Sequence, residues 1–145
     1  MALFPTHRPK RLSLGPLEAE ILDILWELGA TSATVIHDRI LEDIDRDLTY
    51  SSVATVLRRL EAKGWIAKQR VGRAYHWEPL LSADSAKVLK SHERLQQFLA
   101  ASNPDIVAAF ANTLDQASLE QLEAITQRIQ LARRARSKQQ QEKQP

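Results

Sequence analysis

Apolar residues recur at helical spacing from the first third of the chain. Leu17, Ile21, Ile24, Leu25 and Leu28 follow Pro16 and stop at Gly29, which predicts a helix opened by proline and closed by glycine. In "ATSATVIHDRILEDI" the expected cap is Thr31 or Ser32, with Val35, Ile36, Ile40 and Ile44 sharing one face. "LTYSSVATVLRRLEAKG" then reads as a third helix, capped by Thr49 and ended by Gly64, the residue most at ease in a left-handed conformation. The second helix should end four residues before Thr49, as in a helix-turn-helix. In "WIAKQRVGRAYHWEP", aromatic and β-branched residues flank Gly72-Arg73 and Pro79 closes the run. That pattern predicts a β-hairpin with a basic tip.

Beyond residue 80 the pattern changes. Ser82 opens a long amphipathic stretch with Val88, Leu95 and Leu99 on one side, and Asn103-Pro104 interrupts it. Ile106, Phe110 and Leu114 mark a further helix, and Ser118 with Gln121 has capping-box spacing. Leu119, Leu122, Ile125 and Ile129 then form an apolar seam too narrow to be the core of a lone domain. Phe110 and Leu114 complete it as a candidate dimerisation surface. The fold class is mainly α with a small β-hairpin. Its expected parts are a basic arm (1–11), a winged helix-turn-helix domain (12–80), a helical dimerisation region (81–136) and a polar basic tail (137–145).

The outward side of the third helix raises the functional question. A turn of 100° per residue from Val53 gathers Val56, Leu57 and Leu60 into a buried stripe. Ser51, Thr55, Arg58 and Ala62 fall opposite, flanked by Ser52 and Arg59. A major groove admits one helix and offers acceptors and donors to hydroxyls and arginine forks. Free N–H groups near Tyr50, Ser51 and Ser52 suit a phosphate. Lys68, Arg70 and Arg73 of the hairpin can reach an adjacent backbone.

Charge strengthens that reading. Residues 14–45 hold eight carboxylates against Arg39 alone, whereas residues 46–76 hold seven basic residues against Asp47 and Glu61. A polyanion is repelled by the first segment and drawn to the second. The chain has no cysteine, which removes disulfides and thiolate metal sites and fits a reducing compartment. "MALFPTHRPKR" has its apolar run before its basic residues, the wrong order for a signal peptide. No stretch approaches the roughly 20 apolar residues that span a bilayer. A soluble, cytoplasmic protein without a membrane partner is expected.

"LGPLEAEILDILWELGATSATVIHDRI" followed by "LTYSSVATVLRRLEAKGWIAKQRVGRAYHWEP" resembles the penicillinase-repressor family of winged-helix transcriptional regulators, the BlaI/MecI type. The most specific part runs from Thr49 to "GRAYHWEP", together with Trp26 near the end of the first helix. The resemblance implies a homodimeric repressor with a recognition helix at 49–63, a wing at 65–78 and C-terminal helices that entwine. Two such modules would read a palindromic operator, since one reads too few base pairs to stand out in a genome. The family's two induction routes use a C-terminal cysteine pair, for copper, or cleavage of an Asn-Phe bond by a sensor-linked protease. This chain has no cysteine, and "IVAAFANTL" places Ala109-Phe110 at the cleavage position, so Phe110 matches and the asparagine does not.

Other readings need other residues. His7, His37, His76 and His92 are scattered and none has an HExxH spacing or a nucleophile beside it, so no enzyme, metal or cofactor is expected. A protein-interaction module should be apolar at the centre of its surface, and the third helix presents hydroxyls and arginines. An RNA partner would use an aromatic platform, and none is evident. A ligand- or metal-sensing regulator of the same fold could use His92 and Glu93, but two residues do not make a site.

Overall fold

Helix α1 (Pro16–Leu28) starts at Gly15, whose N–H donates to the Glu18 carboxylate at 3.3 Å. Gly29 ends it with φ 78°. The computed structural model describes residues 7–143. After α1 come β1 (Thr31–Ser32), α2 (Ala33–Ile40), α3 (Tyr50–Lys63), β2 (Ile66–Val71), β3 (Ala74–Pro79), α4 (Ala83–Ala101), α5 (Pro104–Thr113) and α6 (Gln116–Glu142). Residues up to Gln97 form one compact unit and those from Phe98 onwards a second, so the division falls within α4.

The first unit has a single core. Ile21, Leu22 and Leu25 of α1, Ile36 of α2, and Val53, Leu57 and Leu60 of α3 are fully enclosed, with Trp65 and Ile66 beneath them. The three strands form one antiparallel sheet in the order β1-β3-β2, with Thr31 opposite Trp77 and Lys68 also opposite Trp77 on the other side. Gly72 has φ 64° and Arg73 does not share that sign, so the two-residue turn has the II′ form that suits twisted strands. This is a winged helix: three helices with a small sheet whose β2–β3 hairpin is the wing.

Several expectations change. The second helix ends at Ile40 rather than four residues before Thr49, so residues 41–49 link it to α3. Ile44 keeps the helical spacing but is 94% exposed. Asp43 turns its carboxylate onto the Asp45 N–H at 3.0 Å, and the chain breaks into successive turns. A short acidic side chain that bonds its own backbone competes with helix formation. Val35 is likewise exposed, and α2 buries Ala33, Ile36 and Ile40 instead. Ser32 is its cap, accepting from Val35 N–H, and also lies in β1. Val88, Leu95 and Leu99 of α4 remain exposed, while Ser85 and Ala86 are buried and Leu89 packs on the core. Ser118 does not cap α6; Asp115 does, accepting the Ser118 N–H at 2.7 Å.

In the second unit Asn103 caps α5 by accepting the Ile106 N–H, and the Phe98 and Phe110 rings lie 5.1 Å apart. Neither α5 nor α6 buries a residue within this chain.

Of the basic arm, residues 1–6 lie outside the described residues, and residues 7–11 lie against the end of α3. Lys10 and Arg11 N–H donate to the Lys63 carbonyl at 2.8 and 3.3 Å, and His7 Nε2 donates to the Gly64 carbonyl at 2.7 Å. The Trp65 indole donates to the Arg11 carbonyl at 2.9 Å. Pro9 is buried in this strap.

Candidate nucleic-acid interface

Helix α3 is held from both ends. Thr49 Oγ1 accepts the Ser52 N–H at 3.1 Å and lies 2.8 Å from Ser52 Oγ. Gly64, at φ 87°, turns the chain out of the helix. Val53, Val56, Leu57 and Leu60 face the core, as the helical spacing requires. The outward ridge carries Ser51, Arg58, Arg59 and Ala62 exposed or partly so, with Ser52 and Thr55 beside them half-buried. Arg58 Nη2 reaches Thr55 Oγ1 at 3.4 Å.

Two hollows flank this ridge. A recess of about 380 Å³ lies between α3 and the wing, with Tyr50, Ala54, Arg58, Arg73 and Tyr75 on its walls. A second, of about 370 Å³, lies on the other flank among Ser51, Ser52, Thr55 and Arg59, with Leu17 of α1. The two adjacent arginines therefore serve opposite sides of the helix. Tyr50 is steadied from behind: the His37 ring meets it edge-on at 6.2 Å, and His37 Nε2 donates to the Leu48 carbonyl at 2.6 Å.

The three wing cations are not equivalent. Lys68 Nζ lies 5.0 Å from the Tyr75 ring centre and 5.7 Å from that of Trp77, and 3.8 Å from the Glu61 carboxylate. Arg70 Nε donates to the Gly72 carbonyl at 3.3 Å, which folds it back over the turn. Arg73 is exposed on the recess wall. The residues sequence reasoning missed are Ala54 and Tyr75. Strand alternation carries the signal for Tyr75: Arg70 pairs with Tyr75 and Lys68 with Trp77, so all four share one face.

Pairing sorts the cations of the first unit. Arg39 meets Glu27 at 2.6 Å, Lys63 meets Glu18 at 2.8 Å, and Arg46 grips both Glu20 oxygens at 2.8 and 3.0 Å. The Glu20 hydrogen bond, then its charge, raises the Arg46 pKa further. Arg46, counted with the basic segment, is thus neutralised by the acidic one. Among the described residues no ion pair holds Arg58, Arg59, Arg70 or Arg73. Side chains able to receive phosphate remain around α3 and the wing.

The other singled-out residues lie apart. His92 and Glu93 sit in the middle of α4, and no group of three or more metal-binding side chains occurs among the described residues. Ala109 and Phe110 are inside α5, where a protease would have to unwind the helix to reach their bond. Leu119, Leu122, Ile125 and Ile129 are all at least partly exposed on α6, and Leu114 follows α5 half-buried. No described helix is long and apolar enough to cross a membrane.

The penicillinase repressor family model matches residues 14–130, from the first helix into α6. The chain belongs to that family. As a family of transcriptional regulators it is not one of enzymes. The transcriptional regulator BlaI of Mycobacterium tuberculosis, in two strains, is 33% identical over 76 residues, which cover 52% of this chain and 54% of the relative. The chain thus spans about half the length of the curated relatives it matches. Among solved structures, the DNA-binding domain of the repressor BlaI in solution is similar over 54% of this chain and 93% of that one, at 17% identity and TM-score 0.46. A transcriptional regulator from Thermotoga maritima is similar over 83% of this chain and 77% of that one, at 18% identity and TM-score 0.40.

Proposed function

We propose that this penicillinase-repressor family member is a sequence-specific DNA-binding repressor that acts in the cytoplasm as a homodimer, without catalysis or cofactor. Helix α3 enters the major groove, and the wing lies on the adjoining backbone. The observation that carries the reading is that Arg58 and Arg59, on opposite flanks of α3, have no ion pair among the described residues, whereas Arg39, Arg46 and Lys63 are held by carboxylates. The Thr55 hydroxyl precedes them by about one turn and those of Ser51 and Ser52 by about two, on the side of the helix that would face base edges or phosphates. The description of the family, penicillinase repressor, supports a repressor. The apolar side chains that α5 and α6 leave exposed support a two-fold dimer, in which residue i meets residue j and j meets i. Two modules then read half-sites one or two helical turns apart.

Footprinting of the purified protein on DNA upstream of its own gene tests this. Two symmetric protected half-sites are expected. Protection no stronger than on random duplex would overturn the reading.

A further inference from the structure

Helix α6 continues well beyond the apolar residues that could bind a second copy. Leu131 is the last large apolar side chain; only alanines, at 132 and 135, follow it before the helix ends at Glu142. Residues 132–143 hold five cations, Arg133, Arg134, Arg136, Lys138 and Lys143, against the single carboxylate Glu142. The eleven helical residues from 132 to 142 make an extension of about 17 Å.

Three ordinary explanations of these cations fall short. The helix dipole favours positive charge only at the C-terminal end, which accounts for Lys143 at the C-cap but not for the other four, since the last turn contains no basic residue. Pairing does not explain them either, since among the described residues no ion pair holds any of the five. Nor do they flank a large apolar stripe: at 100° per residue Arg133, Arg134, Arg136 and Lys138 cover a sector of about 200°, with Arg133 and Arg136 in line with Ile125 and Ile129, and the apolar residues of the other sector are Leu131 and two alanines. A helix of this kind cannot lie in a membrane surface, which demands an apolar face. It suits a polyanion, which asks only for charge at close spacing.

We propose that the cationic end of α6 is a second DNA-binding element, which meets the phosphate backbone without reading sequence. The proposal rests on the DNA-binding reading of α3 and adds a region outside the winged helix. Each phosphate neutralised releases counterions, so binding should show a salt dependence larger than α3 and the wing supply.

The test uses the full chain with Arg133→Gln, Arg134→Gln, Arg136→Gln and Lys138→Gln combined, and as a second variant a chain ending at Leu131. Each is titrated on random-sequence duplex of roughly four helical turns across a potassium chloride series. The slope of log affinity against log salt should become shallower by about 0.9 for each phosphate no longer neutralised, up to about 3.6 for four. Low-salt affinity should fall tenfold or more, with the assembly state in sedimentation unchanged. An unchanged slope overturns the proposal. So does a changed assembly state, or a variant that loses only its binding to phosphatidylserine vesicles or to polyglutamate. An Arg58→Ala, Arg59→Ala variant separates the two readings. If it keeps full sequence preference while the α6 variants lose slope, the assignment of α3 fails and that of α6 stands.

Discussion

Glu18 in the first turn of α1 holds Lys63 in the last turn of α3, Oε2 to Nζ at 2.8 Å, with both side chains largely buried. Lys63 Nζ also donates to the Ser13 carbonyl at 2.9 Å, and Glu18 Oε2 has no partner besides Lys63 among the described residues. The pair ties α3 to the helix that backs it. Removing one partner leaves a buried charge alone, so Lys63→Met should destabilise the first unit by about 3 kcal/mol. Adding Glu18→Leu should recover more than half of that loss, because the stranded carboxylate is gone. Urea unfolding of the single and double variants checks this; equal stability of the two would contradict it.

The strap of residues 7–11 should be equally sensitive at Gly64. A Cβ there would stand 3.3 Å from Pro9 Cα and from Lys10 N, at a φ of 87° that side chains rarely adopt. Gly64→Ala should therefore cost about 1–2 kcal/mol from the left-handed conformation alone, with a further loss as the strap shifts. Hydrogen exchange should show the Lys10 and Arg11 amides, which donate to Lys63, losing protection first. Unaltered protection at those amides would show that the strap is not held at this point.

What is legible in the sequence follows from which forces are local. Helix α3 reads through because Val53, Val56, Leu57 and Leu60 keep strict spacing and Thr49 and Gly64 mark its ends. The end of α2 does not, because Ile44 continues the period while Asp43 bonds the backbone of Asp45. One motif misplaces the cap of α6: Ser118 and Gln121 have capping-box spacing, but Asp115 reaches the orphan N–H first. Lys68 reads as free in the sequence because its partners Tyr75 and Trp77 come together only once the hairpin register is set. The strap and the Glu18–Lys63 pair join residues 45 or more positions apart, and no local pattern announces them.

The Asp115 cap should make α6 sensitive to acid. The Ser118 N–H, then its hydroxyl, lowers the Asp115 pKa below the ordinary 3.8. A carboxyl with a depressed folded-state pKa contributes stability that is fully present above its unfolded pKa and is lost as pH falls through the folded one. Helicity of the chain should thus be level from neutral pH to about 5 and decline below the usual carboxylate range. Asp115→Ala should lower the helix content at neutral pH, and the difference from wild type should shrink at low pH. A difference that stays constant in circular dichroism would show that the carboxylate is not the cap.

The seam on α6 should be where two copies meet. Leu122 and Ile125 are 43% and 53% exposed within one chain, and Leu122→Asp with Ile125→Asp would place charge in an apolar interface. Sedimentation should show a dimer for wild type and a monomer for the double variant. The near-ultraviolet signal of Trp65 and Trp77, which belong to the core of the first unit, should be unchanged. A monomeric wild type would refute the dimer.

The central claim is that α3 reads base sequence while the wing only grips the backbone. Arg58 stands on the outward ridge, and Arg70 is folded over the hairpin turn. Titration of wild type, Arg58→Ala and Arg70→Ala on the footprinted operator and on random duplex separates these roles. Arg58→Ala should lose about 1–3 kcal/mol on the operator and little on random DNA, which collapses the ratio of the two affinities. Arg70→Ala should weaken both alike and keep the ratio, with a salt slope shallower by about 0.9. An Arg58→Ala protein that keeps the wild-type ratio, or an Arg70→Ala protein that loses it, would contradict the account.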